Sequence, residues 1–392
     1  MDFRDDPADA AFREEVRAWL TTAVADQPTD APNASFEERL PNFRRWQRKL
    51  YDAGYAGMAW PEEAGGRGAS LQQQAIFREE ADRAGAPDRL NTVGEDFAGP
   101  TIVDLGTPEQ RSKMLHAILT GEQIWCQLFS EPGAGSDLAA LETKAERRGD
   151  DWVLNGQKVW TSRAQIADYA ICLARTGGGP RHKGITYFLV PMDQPGVVVR
   201  PLEHMLGEPE FNEVFLDDAI VPDTLRMGEV DGGWKVAMAT LGYERLTLAT
   251  GRVNVARLVR QLVDEIRDGE DTDGNPLVED AGVRRKAAAL YGRTAIQQIN
   301  AKRLITKLAD GTAGAEASIA KLFTGPLVED MADFAVDLHG LAGQLDPFVD
   351  EDAEAAAWLR LSYQGRGTSI AGGTTFIQRN IVAERVLGLP RG

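Results

Sequence analysis

Histidine and cysteine are scarce here: four of the first and two of the second among 392 residues. His116, His182, His204 and His339 show neither an HExxH pattern nor any paired spacing, which argues against a metal site. Cys126 and Cys172 stand far from any CxxC pattern, each within an apolar run, and read as buried reduced thiols. Such thiols fit a reducing compartment. No apolar run of about 18 residues and no amino-terminal signal pattern is found, so no membrane insertion and a cytoplasmic location are expected. A basic excess is lacking as well. The formal net charge of −17 excludes nucleic acid as a partner. No charge block is long enough for a disordered tail, and no internal repeat is visible. The length suffices for two or three domains, each with its own core.

What is present is concentrated in one run, Ser130-Glu131-Pro132-Gly133-Ala134-Gly135-Ser136-Asp137. A proline and two glycines among short polar residues make a tight loop, and glycine lets a ligand approach the backbone. Open amides beside the Ser130 and Ser136 hydroxyls suit a ligand rich in acceptors, such as a pyrophosphate or a flavin edge. Glu131, fixed before a proline, suits a structural hydrogen-bonding role rather than proton transfer.

Three zones follow from patterning: residues 1–122, 123–232 and 233–392. The first reads as helical, with apolar periodicity over Phe12–Leu20 and Ser70–Ala84. Thr107-Pro108-Glu109-Gln110 predicts a capped helix start, and Gly121 its C′ glycine. The second reads as a small β-domain. Strands are predicted at Tyr169–Leu173, Ile185–Val190, Val197–Val199 and Val214–Leu216, and Asn155-Gly156 predicts a hairpin turn. The third returns to long helices over Val236–Ile266, Val283–Leu308 and Ala317–Leu338, which can pack as a bundle. Gly325-Pro326 is expected to kink or split the last. The acidic stretch Asp268–Asp280 departs from a calcium loop at its first and last ligand positions and reads as a solvated connection.

Three segments together carry a family resemblance: the Ser130–Asp137 loop, Asn155-Gly156-Gln157-Lys158-Val159-Trp160-Thr161-Ser162, and Gly372-Gly373-Thr374-Thr375-Phe376-Ile377-Gln378-Arg379. In register over nearly the whole chain, they resemble the signatures of the acyl-CoA dehydrogenases, flavoenzymes that oxidise acyl-CoA thioesters between Cα and Cβ. The resemblance implies an α+β fold: an N-terminal helical domain, a middle β-domain and a C-terminal helical bundle. It implies FAD as cofactor. Leu128, Phe129 and Ser130 would lie along the pyrimidine edge of the flavin, and Gly135 and Ser136 would approach its phosphates and the thioester. Trp160, Thr161 and Ser162 would line the ring, with the Ser162 hydroxyl near the nitrogen that receives hydride. Thr374 and Phe376 would touch the dinucleotide. Gly372 and Gly373 would meet the substrate, the Gly372 amide donating to the thioester carbonyl, where charge develops as the Cα proton leaves.

Many family members carry the catalytic glutamate where this chain has Gly372, and glycine cannot abstract a proton. Glu244 offers a carboxylate elsewhere. Leu241 precedes it by three residues and Leu248 follows by four, so it lies on an apolar helix face continued by Ala237 and Gly251. Periodicity alone leaves two readings open, a surface acid held by Arg245 and a buried base. Resemblance to the isovaleryl-CoA and long-chain branch, where the base directly precedes an arginine on this helix, implies Glu244 as base, with Tyr243 and Arg245 on the substrate side. The inter-subunit motifs of the family are eroded here: one is absent, and the other is replaced by Asp337-Leu338-His339-Gly340-Leu341-Ala342-Gly343. His339 reads either as a flavin neighbour or as a helix-end residue. The resemblance implies an acyl-CoA substrate, an electron-transfer flavoprotein as acceptor, and a homo-oligomer or a heterotetramer with a similar subunit. Two alternatives stay open: a flavin-poor structural subunit of a heteromeric enzyme, and a flavin oxidase or monooxygenase on the same fold. Arg181-His182-Lys183 is a candidate basic patch for the coenzyme A phosphates.

Overall fold

The computed structural model describes residues 5–390, apart from 31–33, 208–209, 250–254, 272, 313 and 346–352. Its residues group by contact into two units. One, the sheet unit, comprises Thr22–Ala69 and Pro87–Leu246; the other, the helical unit, comprises Met1–Thr21, Ser70–Ala86 and Thr247–Gly392. These units cut across the three zones of sequence character.

Among the described residues, the sheet unit is built on eight strands: β1 (Trp125–Leu128), β2 (Lys144–Arg148), β3 (Asp151–Ser162), β4 (Tyr169–Arg175), β5 (Ile185–Pro191), β6 (Val197–Leu202), β7 (Phe211–Pro222) and β8 (Arg226–Met227). Their order is β6-β7-β3-β2-β4-β5-β8, with β1 added in parallel beside β4. β4 and β5 read as unbroken apolar runs and are buried along their length. The core they share includes Leu128, Leu154, Cys172, Phe188, Val190 and Val214. Cys126 and Cys172 are both buried and free, as expected.

The Asn155-Gly156 hairpin is not formed. β3 runs straight through it, and the turn lies earlier, at Gly149-Asp150, between the paired Arg148 and Asp151. Two other demands have claimed the dipeptide. Leu154 pairs with Ala219 but Gly156 with Leu216, so β7 holds one extra residue at this point. Asn155 braces that bulge: its Oδ1 accepts from the Asp218 amide at 2.9 Å, where Asp218 has a left-handed φ of 52°. Gly156 is needed for space, since a Cβ there would stand 2.4 Å from Thr143 Oγ1.

The helices of this unit include α2 (Phe36–Asp52), α4 (Gly99–Leu105), entered through a π-turn at Gly94–Ala98, and α5 (Pro108–Thr120). The α5 start matches its sequence signal. Thr107 Oγ1 accepts from the Gln110 amide at 3.2 Å, and Gln110 Oε1 accepts from the Thr107 amide at 3.0 Å. Gly121 closes the helix at φ 74°. The predicted Val236–Ile266 helix is described as α6 (Gly233–Ala249), most of which belongs to the sheet unit, and α7 (Val255–Asp268).

The helical unit holds most of α1 (Pro7–Ala25), α3 (Leu71–Arg83), α7, α8 (Ala281–Ala309), α9 (Glu316–Leu338), α10 (Ala353–Thr368) and α11 (Thr375–Arg385). Leu258, Leu262 and Ile266 on α7 recur at helical spacing and pack with Leu327, Met331, Phe334 and Trp358. Pro326 does not split α9, which continues through it. Glu80 on α3 is buried and accepts from Arg13 at 2.8 Å and Arg17 at 3.0 Å, tying α3 to α1. Among the described residues, no helix is long and apolar enough to cross a membrane.

Candidate active site

The Ser130–Asp137 loop leaves β1 and is fastened at its start. Ser130 O accepts from the Val159 amide at 3.0 Å, and Glu131 and Ala134 exchange backbone hydrogen bonds. Beneath it lies a buried charge pair. Lys158, fully buried in β3, donates to Glu131 Oε1 at 2.7 Å, to Leu173 O at 2.8 Å and to Phe129 O at 3.2 Å. The other side of the Glu131 carboxylate accepts from the Glu142 amide at 2.6 Å. Burial pushes this acid up, but Lys158 and the surrounding donors outweigh it and hold it below the ordinary carboxylate value. A carboxylate so fully engaged is a brace for the loop, as the sequence suggested. At the tip, a Cβ added to Gly133 or Gly135 would meet no protein atom within 4 Å. These glycines are not demanded by internal packing; their outer face is open to a ligand.

Three residues after Lys158, β3 breaks register again. Lys158 pairs with Val214 but Thr161 with Asn212, so the extra residue now lies on β3. Trp160 sits in this bulge at φ 60°, a backbone conformation that disfavours any side chain, yet its indole is 58% exposed. The Phe211 ring stands edge-on to it at 5.8 Å. An unpaired, strained position that presents a large flat ring outward is what a stacking platform requires. Thr161 is buried, and its Oγ1 has no protein partner among the described residues. Ser162, half-buried, closes the strand opposite Phe211. Arg163 follows, also at φ 60°, and donates to Arg89 O at 3.0 Å and Leu90 O at 2.5 Å, which pins the strand end.

Glu244 lies on α6 and is half-buried. One turn before it, Thr240 is buried and meets Thr101 Oγ1 at 2.9 Å and Tyr187 Oη at 3.1 Å. The Tyr187 ring stands edge-on to Phe129 at 5.9 Å. A line of contacts therefore runs from the Phe129 edge through β5 to the helix bearing Glu244. Burial raises the Tyr187 phenol well above its usual value. Tyr243 donates to the Asp104 carboxylate at the end of α4, and burial together with that acid pushes its phenol up. Ala237 is buried; the side chains of Arg245 and Leu248, and Gly251 altogether, lie outside the described residues.

In the helical unit, Gly372, Gly373, Thr374 and Phe376 are gathered at the start of α11. Gly372 and Gly373 adopt φ 64° and 88°. Thr374 caps the helix, its Oγ1 accepting from the Ile377 amide at 3.3 Å. Phe376 is 73% exposed. His339 closes α9 and lies 3.4 Å from Glu265, the helix-end reading of this residue. Loop, Trp160, Ser162 and Glu244 thus share one unit, and the glycine segment belongs to the other. Sequence reasoning missed Lys158, Arg163 and Tyr187 as supports. A lysine within an apolar strand was a visible signal for the first; nothing in spacing marked the other two.

Family models for the acyl-CoA dehydrogenase N-terminal, middle and C-terminal domains match residues 6–122, 126–219 and 231–387. The chain is 41% identical to the acyl-CoA dehydrogenase IpdE1 of Mycobacterium tuberculosis, over 97% of each chain. It is 30% identical to the human mitochondrial short-chain specific acyl-CoA dehydrogenase, over 87% of this chain and 82% of that one. Among solved structures, a chain of the Mycobacterium tuberculosis ChsE4-ChsE5 complex superposes with TM-score 0.87 at 30% identity, over the full length of both. The Tcur3481-Tcur3483 steroid ACAD superposes at 0.86 with 32% identity, again over 100% of both chains. The open glycine loop, the outward indole and the unfilled Thr161 hydroxyl fit a flavin. The chain belongs to the acyl-CoA dehydrogenase family, whose members are FAD-dependent oxidoreductases.

Proposed function

We propose that the chain dehydrogenates a bulky acyl-CoA thioester between Cα and Cβ, with Glu244 as the base that takes the Cα proton. The single observation that carries the site is Trp160, exposed and strained in its bulge beside the open glycine loop. When bound, the flavin supplies the hydride acceptor. Around it, Leu128, Phe129 and Ser130 would offer backbone groups, Gly135 and Ser136 the loop face, Trp160 and Thr161 the wall and Ser162 its hydroxyl, while Thr374 and Phe376 would meet the dinucleotide. The Gly372 amide, beside Gly373, would donate to the thioester oxygen as charge develops there. Glu244 is favoured because its helix is anchored one turn away, at Thr240, to the residue that touches Phe129. Tyr243 and Arg245 stand on either side of Glu244 in sequence, as substrate-side neighbours.

The solved steroid ACAD supports a polycyclic acyl group as substrate class. It also supports assembly with a second, similar subunit, as does the ChsE4-ChsE5 complex. Exposed Tyr291, Ile296 and Ile299 on α8 offer apolar surface for such a partner. Electrons would pass on to an electron-transfer flavoprotein, and the free buried thiols are in keeping with the cytoplasm.

Glu244→Gln is expected to lower kcat by roughly 10²–10⁴ with the visible flavin absorbance retained. Near-normal turnover by that variant would remove Glu244 from the mechanism.

A further inference from the structure

The carbonyls of the terminal glycine segment are all held by two side chains. Lys321, on α9, donates its ammonium to Ala371 O and, at 2.7 Å, to Gly373 O. Gln378 Nε2 donates to Gly372 O at 3.1 Å and to Gly373 O at 3.3 Å. On the opposite side of the same peptides, the Gly372 and Gly373 amides donate to no acceptor among the described residues. The left-handed φ of both glycines makes this division possible, with carbonyls inward and amides free.

The Ala371 carbonyl and the Gly372 amide belong to one planar trans peptide and point in opposite directions. An ammonium on that oxygen fixes the plane, and so fixes where the amide aims. It also draws electron density through the amide, which makes the N–H a stronger donor. We infer that Lys321 is a positioning residue that aims and polarises the Gly372 amide toward the thioester carbonyl. The inference rests on the proposed role of that amide. When the Cα–H bond breaks, the proton goes to Glu244 and the electron pair spreads onto the thioester oxygen. Lys321 thereby places a positive charge one peptide away from the growing negative one, without touching substrate. Gln378 acts on the next two peptides and has no grip on this one.

The test uses purified flavin-loaded protein carrying Lys321→Met, Lys321→Gln, Lys321→Arg or Gln378→Met. Two quantities are read: steady-state kcat and KM, and the pH at which a bound 3-oxoacyl-CoA ionises, followed by its long-wavelength absorbance against oxidised flavin. Lys321→Met is expected to keep its flavin and to lose about 10- to 100-fold in kcat with KM within about threefold. The ionisation should move up by about one to two pH units. Lys321→Gln, which keeps a donor without the charge, should shift it in the same direction, and Lys321→Arg should restore most of the wild-type value. An unmoved ionisation in both neutral variants overturns the inference. So does an equal shift in Gln378→Met, which would reduce Lys321 to a loop support. Wild-type protein that holds flavin but neither turns over nor ionises any 3-oxoacyl-CoA overturns instead the reading of Gly372 on which this stands.

Discussion

A lysine with no exposed surface is costly unless each of its protons is used, and Lys158 uses all three, on Glu131 and on two carbonyls. The partners lie on separate stretches of chain, so one ammonium fastens the signature loop to β3 and β4. Lys158→Met is expected to destabilise by about 3–5 kcal/mol, because it strands the Glu131 carboxylate in the interior. Adding Glu131→Gln should recover part of the loss, as paired denaturant titrations would show. The pH dependence has a definite sign. Glu131 is held below its ordinary value of 4.5 in the fold, so the pair's contribution is complete above that pH. It disappears as pH falls through the lower folded value. The stability curve of Lys158→Met should accordingly lose part of its acid-side slope. Glu131 was recognisable from sequence as structural because a proline follows it. Its partner was not, since 27 residues separate the two and only the sheet closes that gap.

At the scale of elements, a hydroxyl on α6 joins it to two others. Thr240 bonds to Tyr187 on β5 and Thr101 on α4, so three elements meet at buried oxygens. Thr240→Val should cost about 1–3 kcal/mol, since the paired hydroxyls are left short of a partner in the interior. Thermal unfolding of the purified variant measures this; a change within a few tenths would mean that the cluster contributes nothing. Periodicity gave α3, α5, α8 and α9 with boundaries close to those observed, and Thr107 and Gly121 fixed both ends of α5. Those signals are local: a cap or an apolar stripe carries its own reason. β3 was misread because Asn-Gly serves equally well at a turn or beside a bulge, and the choice is made by β7, some 60 residues further on. For the same reason Trp160 could be named from a motif, but not its strained backbone, which arises from a pairing that the strand itself does not encode.

The whole molecule carries a net charge of −17, and its proposed substrate carries several phosphates. Like charges slow their encounter, and dissolved salt relieves this once the Debye length falls to about 10 Å near 0.1 M. Between roughly 10 and 150 mM salt, kcat/KM for an acyl-CoA is expected to rise severalfold while kcat stays level. A fall over that range would instead mean that a local basic patch such as Arg181-His182-Lys183 dominates the approach. Domain order and the three signature segments were legible across the full length because each segment is contiguous. The supports behind them, Lys158, Tyr187, Arg163 and Lys321, draw on distant partners and emerge only when the chain is folded.

The two slips between β3 and β7 are equal and opposite: one surplus residue at Asp218, one at Trp160, after which the ladder resumes its former phase. Deleting Trp160 alone would still leave Lys158 opposite Val214 and Thr161 opposite Asn212, with every side chain beyond it on its present face. The ladder would close regularly, so pairing does not require the bulge, and what such a deletion removes is the outward indole itself.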